Sequence, residues 1–177
     1  MLTFLIGPPG AGKSQLAPLL ATALGIPALD LDREVSIAAG RTIAELFAAD
    51  GERGFRARER AALERAITAG SGVVATGGGI AQDDANRALM RGAGRVVFLA
   101  ATPATQLARL SGARELEQRP LLAATPDLRA RLESLYAERL AGYRAAAHLE
   151  LATDATAPAE LVAALVARLS PGLGVGR

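Results

Sequence analysis

The stretch "LIGPPGAGKSQL", residues 5–16, decides the fold. A short apolar run gives way to a cluster of Gly and Pro, and then to Lys13 and Ser14. Glycine loses more conformational freedom on folding than any other residue, so such a cluster right after the first apolar run needs a geometric reason. A ligand that comes very close to the main chain is one. Gly7, four residues, then Gly12-Lys13-Ser14 is the P-loop spacing, in which backbone N–H groups at the start of a helix wrap around phosphate oxygens. In that pattern Gly7, Gly10 and Gly12 let the chain close on the anion, Lys13 reaches the β/γ-phosphates and the Ser14 hydroxyl binds Mg2+. The flanks agree: Leu2–Ile6 reads as a buried strand and Gln15–Leu24 as a helix closed by Gly25. Nucleoside triphosphate binding is therefore expected.

Outward from this stretch, strands and helices alternate. Strands are expected at Pro27–Asp32, Val73–Thr76, Arg95–Ala100 and His148–Ala152, with helices over Arg33–Ala69, Asp83–Met90 and Pro158–Leu169. Thr102-Pro103 and Thr125-Pro126 each read as an N-cap followed by Pro at the first helical position, the second opening a long helix to about Ala147. Continuous apolar strands alternating with helices predict an α/β fold, a parallel sheet covered on both faces. At 177 residues, half of them apolar, the chain suits one domain, taken as 1–170 with a flexible Gly-rich tail at 171–177.

Composition removes several function classes. Twenty basic residues against 18 acidic ones leave a formal charge of +2, and aromatics make up 3%. With no basic stripe and no stacking platform, nucleic-acid binding is not expected. The absence of Cys removes disulfides and thiolate metal sites. The N-terminal apolar run is broken by Gly7 and Pro8, and no run approaches membrane-spanning length, so a cytoplasmic protein with no membrane contact is expected.

Ligands of such sheets bind at the carboxyl ends of the strands. Asp30 and Asp32 lie two apart at the end of the second strand and point the same way if the strand persists that far. There they would serve Mg2+ and an acceptor hydroxyl; the alternative is that an Asp after a strand caps a helix. Gly77, Gly78 and Gly79 exceed what a turn needs and predict a second ligand against the backbone. Arg56, Glu59 and Arg60 share a helical face, a pattern commoner on solvated surfaces. The charged, Pro-bearing segment "ARELEQRPLLAATP" breaks the helical pattern long enough to be a lid, with Arg114 or Arg119 closing over phosphates. Arg131, Leu135 and Arg139 share a face of the long helix, and His148, opening a strand, is expected to be structural.

In this order and at these spacings, "GPPGAGKS" (7–14), "LDLD" (29–32), "DGERGFRARE" (50–59), "TGGG" (76–79), "RPLL" (119–122) and "ERLAGY" (138–143) resemble the shikimate kinase family, from Leu2 to about Leu169. The resemblance implies a three-layer sandwich with a five-stranded parallel sheet, a P-loop kinase of the nucleoside monophosphate kinase type. Its substrate-binding region would span about 32–62 and its lid about 111–125. It implies ATP and shikimate as ligands, Mg2+ as cofactor and a monomer. Gly10, Ala11, Gly12, Lys13, Ser14 and Gln15 would hold ATP, with Arg119 swinging in from the lid; Ser14 would hold Mg2+ with Asp30 assisting. Asp32 would bind the ring hydroxyls and take the proton from the attacking one. Arg56 and Arg139 would hold the substrate carboxylate, Glu59 would orient Arg56, and Gly77, Gly78 and Gly79 would offer backbone N–H groups. Lys13 and Arg119 would neutralise the transferring phosphoryl group.

Departures are Gln15 where a Thr is common, Ala141-Gly142 in place of Pro-Leu, and a longer lid, which leaves the adenine contact open between Arg109 and Leu110. The rivals are another small-molecule kinase, such as a gluconate kinase, and a non-catalytic nucleotide-binding module. A GTPase is excluded by the lack of an Asn-Lys-x-Asp motif, since Asn86 is the sole asparagine.

Overall fold

A computed structural model describes residues 1–110, 122 and 125–169. Five parallel strands lie in the order β2-β3-β1-β4-β5: β1 (Leu2–Ile6), β2 (Ala28–Asp30), β3 (Gly72–Ala75), β4 (Gly94–Ala100) and β5 (Leu149–Ala152). Every residue of β1 is buried, as expected of a central strand covered on both faces. Its alternation divides the core. Leu2, Phe4 and Ile6 join one cluster with α2 (Leu31–Ala39), α3 (Ile43–Ala69), α4 (Asp84–Ala93) and α6 (Leu128–Ala146). Leu5 joins the other, with α1 (Lys13–Leu24) and α7 (Pro158–Leu169). Burying one such Leu or Phe contributes about 1.5–3 kcal/mol, so both clusters hold the sandwich. A third, smaller cluster of Leu110, Leu122, Leu132 and Leu135 joins α5 (Pro103–Leu110) to α6. No described helix is long and apolar enough to cross a membrane.

Local chemistry moves several expected boundaries. The second strand ends at Asp30 and not at Asp32, because the Asp30 carboxylate accepts from the backbone N–H of Asp32 (3.1 Å) and Arg33 (3.3 Å) and opens α2 as its N-cap. Asp32 therefore lies in the first turn of a helix, and the shared strand face for the two carboxylates is not formed. The long helix is capped by Asp127, whose side chain accepts from Ala130 N–H, rather than by Thr125. Asp83 is likewise the cap of α4 and not its first residue. Thr102 does cap α5, accepting from Thr105 N–H. Within α3 a break at Gly51 (φ 66°, ψ −177°) divides the helix into two segments, and Thr42 with Glu45 forms a capping box at its start.

His148 serves the sheet, its Nδ1 accepting from Val96 N–H at 3.1 Å. Gly142 explains the missing Leu: a Cβ there would stand 2.7 Å from the Ala81 carbonyl oxygen, so α6 is seated directly on the 3-10 turn Ile80–Gln82. Tyr143, the next residue, stacks on Phe98 with ring centroids 5.0 Å apart. The charged end of α6 is thereby set over the carboxyl edge of the sheet.

Candidate active site

The P-loop follows β1. Gly7 has φ +141°, and a Cβ on it would lie 2.4 Å from the Leu99 carbonyl oxygen, so no other residue fits. Gly12 (φ 89°) is the N-cap of α1, and neither a side-chain cap nor an acidic residue occupies that first turn. The uncapped amides and the positive end of the helix make an anion site. Lys13 is buried and folds back over the loop, its Nζ donating to the carbonyls of Gly7 (2.7 Å) and Pro8 (2.9 Å). Ala11 is buried under the loop, whereas Ser14 and Gln15 are exposed on the first turn of α1. Arg109 clasps the loop from outside, donating to the Gly10 carbonyl (3.0 Å), to Thr153 Oγ1 (3.1 Å) and to the Thr153 carbonyl. Leu110 points into the core.

The second half of the site is built around Gly77, Gly78 and Gly79. Thr76 fixes their start, since its N–H and its hydroxyl both donate to the Leu5 carbonyl at the end of β1 (3.2 and 2.9 Å). None of the three has a positive φ. They are needed because side chains lie flat against them. A Cβ on Gly77 would stand 2.1 Å from Glu59 Oε1 and 3.0 Å from Asp32 Oδ1; on Gly78, 3.3 Å from Pro9 Cδ; on Gly79, 2.3 Å from Arg56 Nη2.

Glu59 is fully buried and is held by Arg56. Its Oε2 accepts from Arg56 Nη1 at 2.8 Å, and Oε1 has no hydrogen-bond partner among the described residues. Burial pushes the Glu59 carboxyl up, Arg56 draws it down, nearby Asp32 pushes it up again, and the net direction is upward. For Arg56, burial works against the charge, but Glu59 and then Glu52 outweigh it and raise its pKa. Arg56 also stands 5.4 Å over the Phe55 ring. Opposite, the mostly buried Arg139 donates to the Gly78 carbonyl at 3.3 Å, and so does the Tyr143 hydroxyl, pushed up to about 12 by burial. Gln82 holds this stretch by donating to the Arg139 carbonyl at 3.3 Å.

Pro9, Ile43, Phe47, Phe55, Leu122 and Leu135 form apolar walls around this polar floor. Two guanidinium groups, a carboxylate at Asp32 and apolar walls suit a small ring that bears hydroxyls and one carboxylate. Pro9 belongs to the P-loop as well, so this cavity adjoins the loop.

The shikimate kinase family model matches residues 9–170. The shikimate kinase of Symbiobacterium thermophilum is 42% identical over 165 residues, 93% of this chain and 94% of the relative. That of Thermobifida fusca is 41% identical over 174 residues, 98% and 96%. The solved shikimate kinase of Acinetobacter baumannii in complex with shikimate superposes with a TM-score of 0.88 at 35% identity, covering 97% of this chain and 94% of that one. The chain belongs to the shikimate kinase family.

Shikimate kinases are ATP-dependent transferases acting on an alcohol group, and the residues expected from their motifs fall into two groups here. Gly10, Ala11, Gly12, Lys13, Ser14 and Gln15 make the loop and the first turn of α1. Asp32, Arg56, Arg139 and the three glycines line one cavity. Asp30 stands just outside it as a helix cap. Arg114, Arg119 and nearly all of the expected lid lie outside the described residues, as does the tail. Far from being a solvated face, the Arg56–Glu59–Arg60 cluster includes the fully buried Glu59, with both arginines half-buried, Arg56 paired to Glu59 and Arg60 to Asp83 (2.9 Å). Phe47 and Leu135, which line the same cavity, carry no chemical signal of their own in the sequence. Glu52, four residues before Arg56, carried a signal in its helical charge-pair spacing.

Proposed function

We propose that this chain transfers the γ-phosphoryl group of ATP to the 3-hydroxyl of shikimate. The observation that carries this is the convergence of Asp32 with Arg56 and Arg139 around Gly77–Gly79, next to the P-loop. Arg56 and Arg139 hold the carboxylate, for which planar guanidinium groups are suited, and the apolar walls take the ring. Asp32 accepts the hydroxyl proton as that oxygen attacks the γ-phosphorus, and ADP leaves. Lys13 leaves the loop carbonyls for the phosphate oxygens, where negative charge gathers; Arg119 adds charge from the lid.

Ser14 and Asp30 suit Mg2+. The Ser14 hydroxyl is exposed on the first turn after the loop, and Asp30, at the end of β2, uses Oδ1 alone for capping, so each has an oxygen to offer. Mg2+ characteristically takes one or two protein oxygens and completes its shell with phosphates and water. Bound there, the ion would offset phosphate charge.

ADP release by the full chain with Mg2+ and ATP is expected to depend on shikimate and not on gluconate; release with gluconate alone would overturn the assignment. In the same assay Arg139→Ala should raise the shikimate KM about tenfold to a hundredfold, the range for losing charge-assisted hydrogen bonds. The ATP KM should move little. An effect on ATP in place of shikimate would mean that a different arginine holds the carboxylate.

A further inference from the structure

Arg56 is gripped by two carboxylates of very different standing. Glu59, on Nη1 at 2.8 Å, has a side chain with no exposure and cannot leave. Glu52, on Nη2 at 2.9 Å, is 52% exposed, and water is open to it as an alternative partner. Glu52 is also the first residue beyond the break at Gly51, so it hangs from the start of a helical segment. It meets Arg56 at the rim of an open cavity. Glu52, Arg56, Arg131 and Arg139 line a cavity of about 380 Å³ that adjoins the apolar-walled one and shares Arg56, Gly79, Leu135 and Arg139 with it. A carboxylate of the chain itself thus stands in the space where the two fork arginines converge.

We propose that Glu52 is a built-in competitor for Arg56, which an incoming carboxylate must displace or crowd, and that it sets the apparent affinity and selectivity of the fork. The proposal rests on the reading that Arg56 and Arg139 hold the substrate carboxylate. Arg56 has five N–H donors, and Glu59 and Glu52 engage both terminal nitrogens. A further carboxylate on Nη2 sits against a like charge, or else frees Glu52 into water. A simple anion has only the two arginines of the fork with which to offset that cost. A ring that also contacts Phe47, Phe55 and Asp32 has others, so Glu52 weakens binding of bare anions relatively more than binding of the substrate.

The test is steady-state kinetics of the full chain at saturating ATP. Glu52→Gln keeps the side chain's length and removes its charge. The shikimate KM should fall about twofold to fivefold, in proportion to the weak coupling of a half-exposed ion pair. kcat should move far less, and acetate, as a bare carboxylate competing with shikimate, should inhibit at lower concentration by at least the same factor. A raised KM that Glu52→Asp restores would overturn the proposal and make Glu52 a positioning residue for Arg56. An unchanged KM with a lowered thermal midpoint would overturn it too, leaving only a helix-surface ion pair. Arg139→Ala separates the two levels: if it raises the shikimate KM while Glu52→Gln does not lower it, the competitor role alone fails. If neither variant moves the KM, the reading of the fork fails and takes the competitor role with it.

Discussion

Asp32→Asn should lower kcat for shikimate phosphorylation by about a hundredfold to ten-thousandfold, the usual contribution of a positioned general base. Affinity for ATP should stay near its original value. The substitution is nearly isosteric, and the position of residue 32 is fixed from its backbone, since its N–H is held by the Asp30 carboxylate at 3.1 Å. Asn at this position can still hydrogen-bond a ring hydroxyl; it cannot take its proton. Loss of the negative charge also removes one influence that pushes the Glu59 carboxyl up, so the Glu59–Arg56 pair is not weakened. Coupled ADP release measures turnover, and titration calorimetry with ATP measures the nucleotide site. Undiminished turnover would remove Asp32 from the role of proton acceptor.

Gly79→Ala tests the substrate side without touching the P-loop. At φ −106°, ψ −4° the backbone accepts Ala without strain, so the fold should persist. The added Cβ, however, would stand 2.3, 2.6 and 2.7 Å from Nη2, Cζ and Nη1 of Arg56. That guanidinium must move by roughly an ångström, enough to cost about a hundredfold where a reacting group is positioned. kcat/KM for shikimate should fall by that factor while the ATP KM holds and the far-UV spectrum is unchanged. Activity close to that of the parent chain would show that Arg56 can relocate and still serve, against the idea of a pre-set fork.

The strand, Gly-rich loop and helix at the start of the chain were legible almost residue by residue in the sequence, because the three are contiguous and the loop's form is set by its own glycines. That Asp32, Arg56, Arg139 and the three glycines share one cavity followed from the family motifs, but how they are packed there did not. The run Gly77–Gly79 correctly marked a place of close approach, but what presses on those glycines includes the chain's own Glu59, Asp32 and Arg56, which local spacing does not show. A helical face with Arg56, Glu59 and Arg60 looks like a wet surface until tertiary packing buries Glu59 completely. The boundary at Asp30 was misplaced because one carboxylate accepting two backbone N–H groups is stronger than the extended tendency of the residues after it. Gly142 illustrates the reverse: a departure from the family pattern that, in this fold, permits closer seating of α6.

The place of β1 in the sheet governs the order in which the molecule can be assembled. Made before either strand it pairs with, β1 is flanked by Gly72 of β3 on one side of Leu2 and by Gly94 of β4 on the other, so both hydrogen-bonding edges stay open until β3 exists, and one of them until the chain is past its midpoint. An apolar strand with two open edges must wait through that interval, the situation in which nascent chains engage chaperones or one another. Loop closure over such separations is slow relative to local helix formation. The phosphate-binding loop, which hangs from the end of β1 and leans on Leu99 of β4, can therefore take shape only once β4 has docked, so that the form of this loop reports the pairing of β1 with β4.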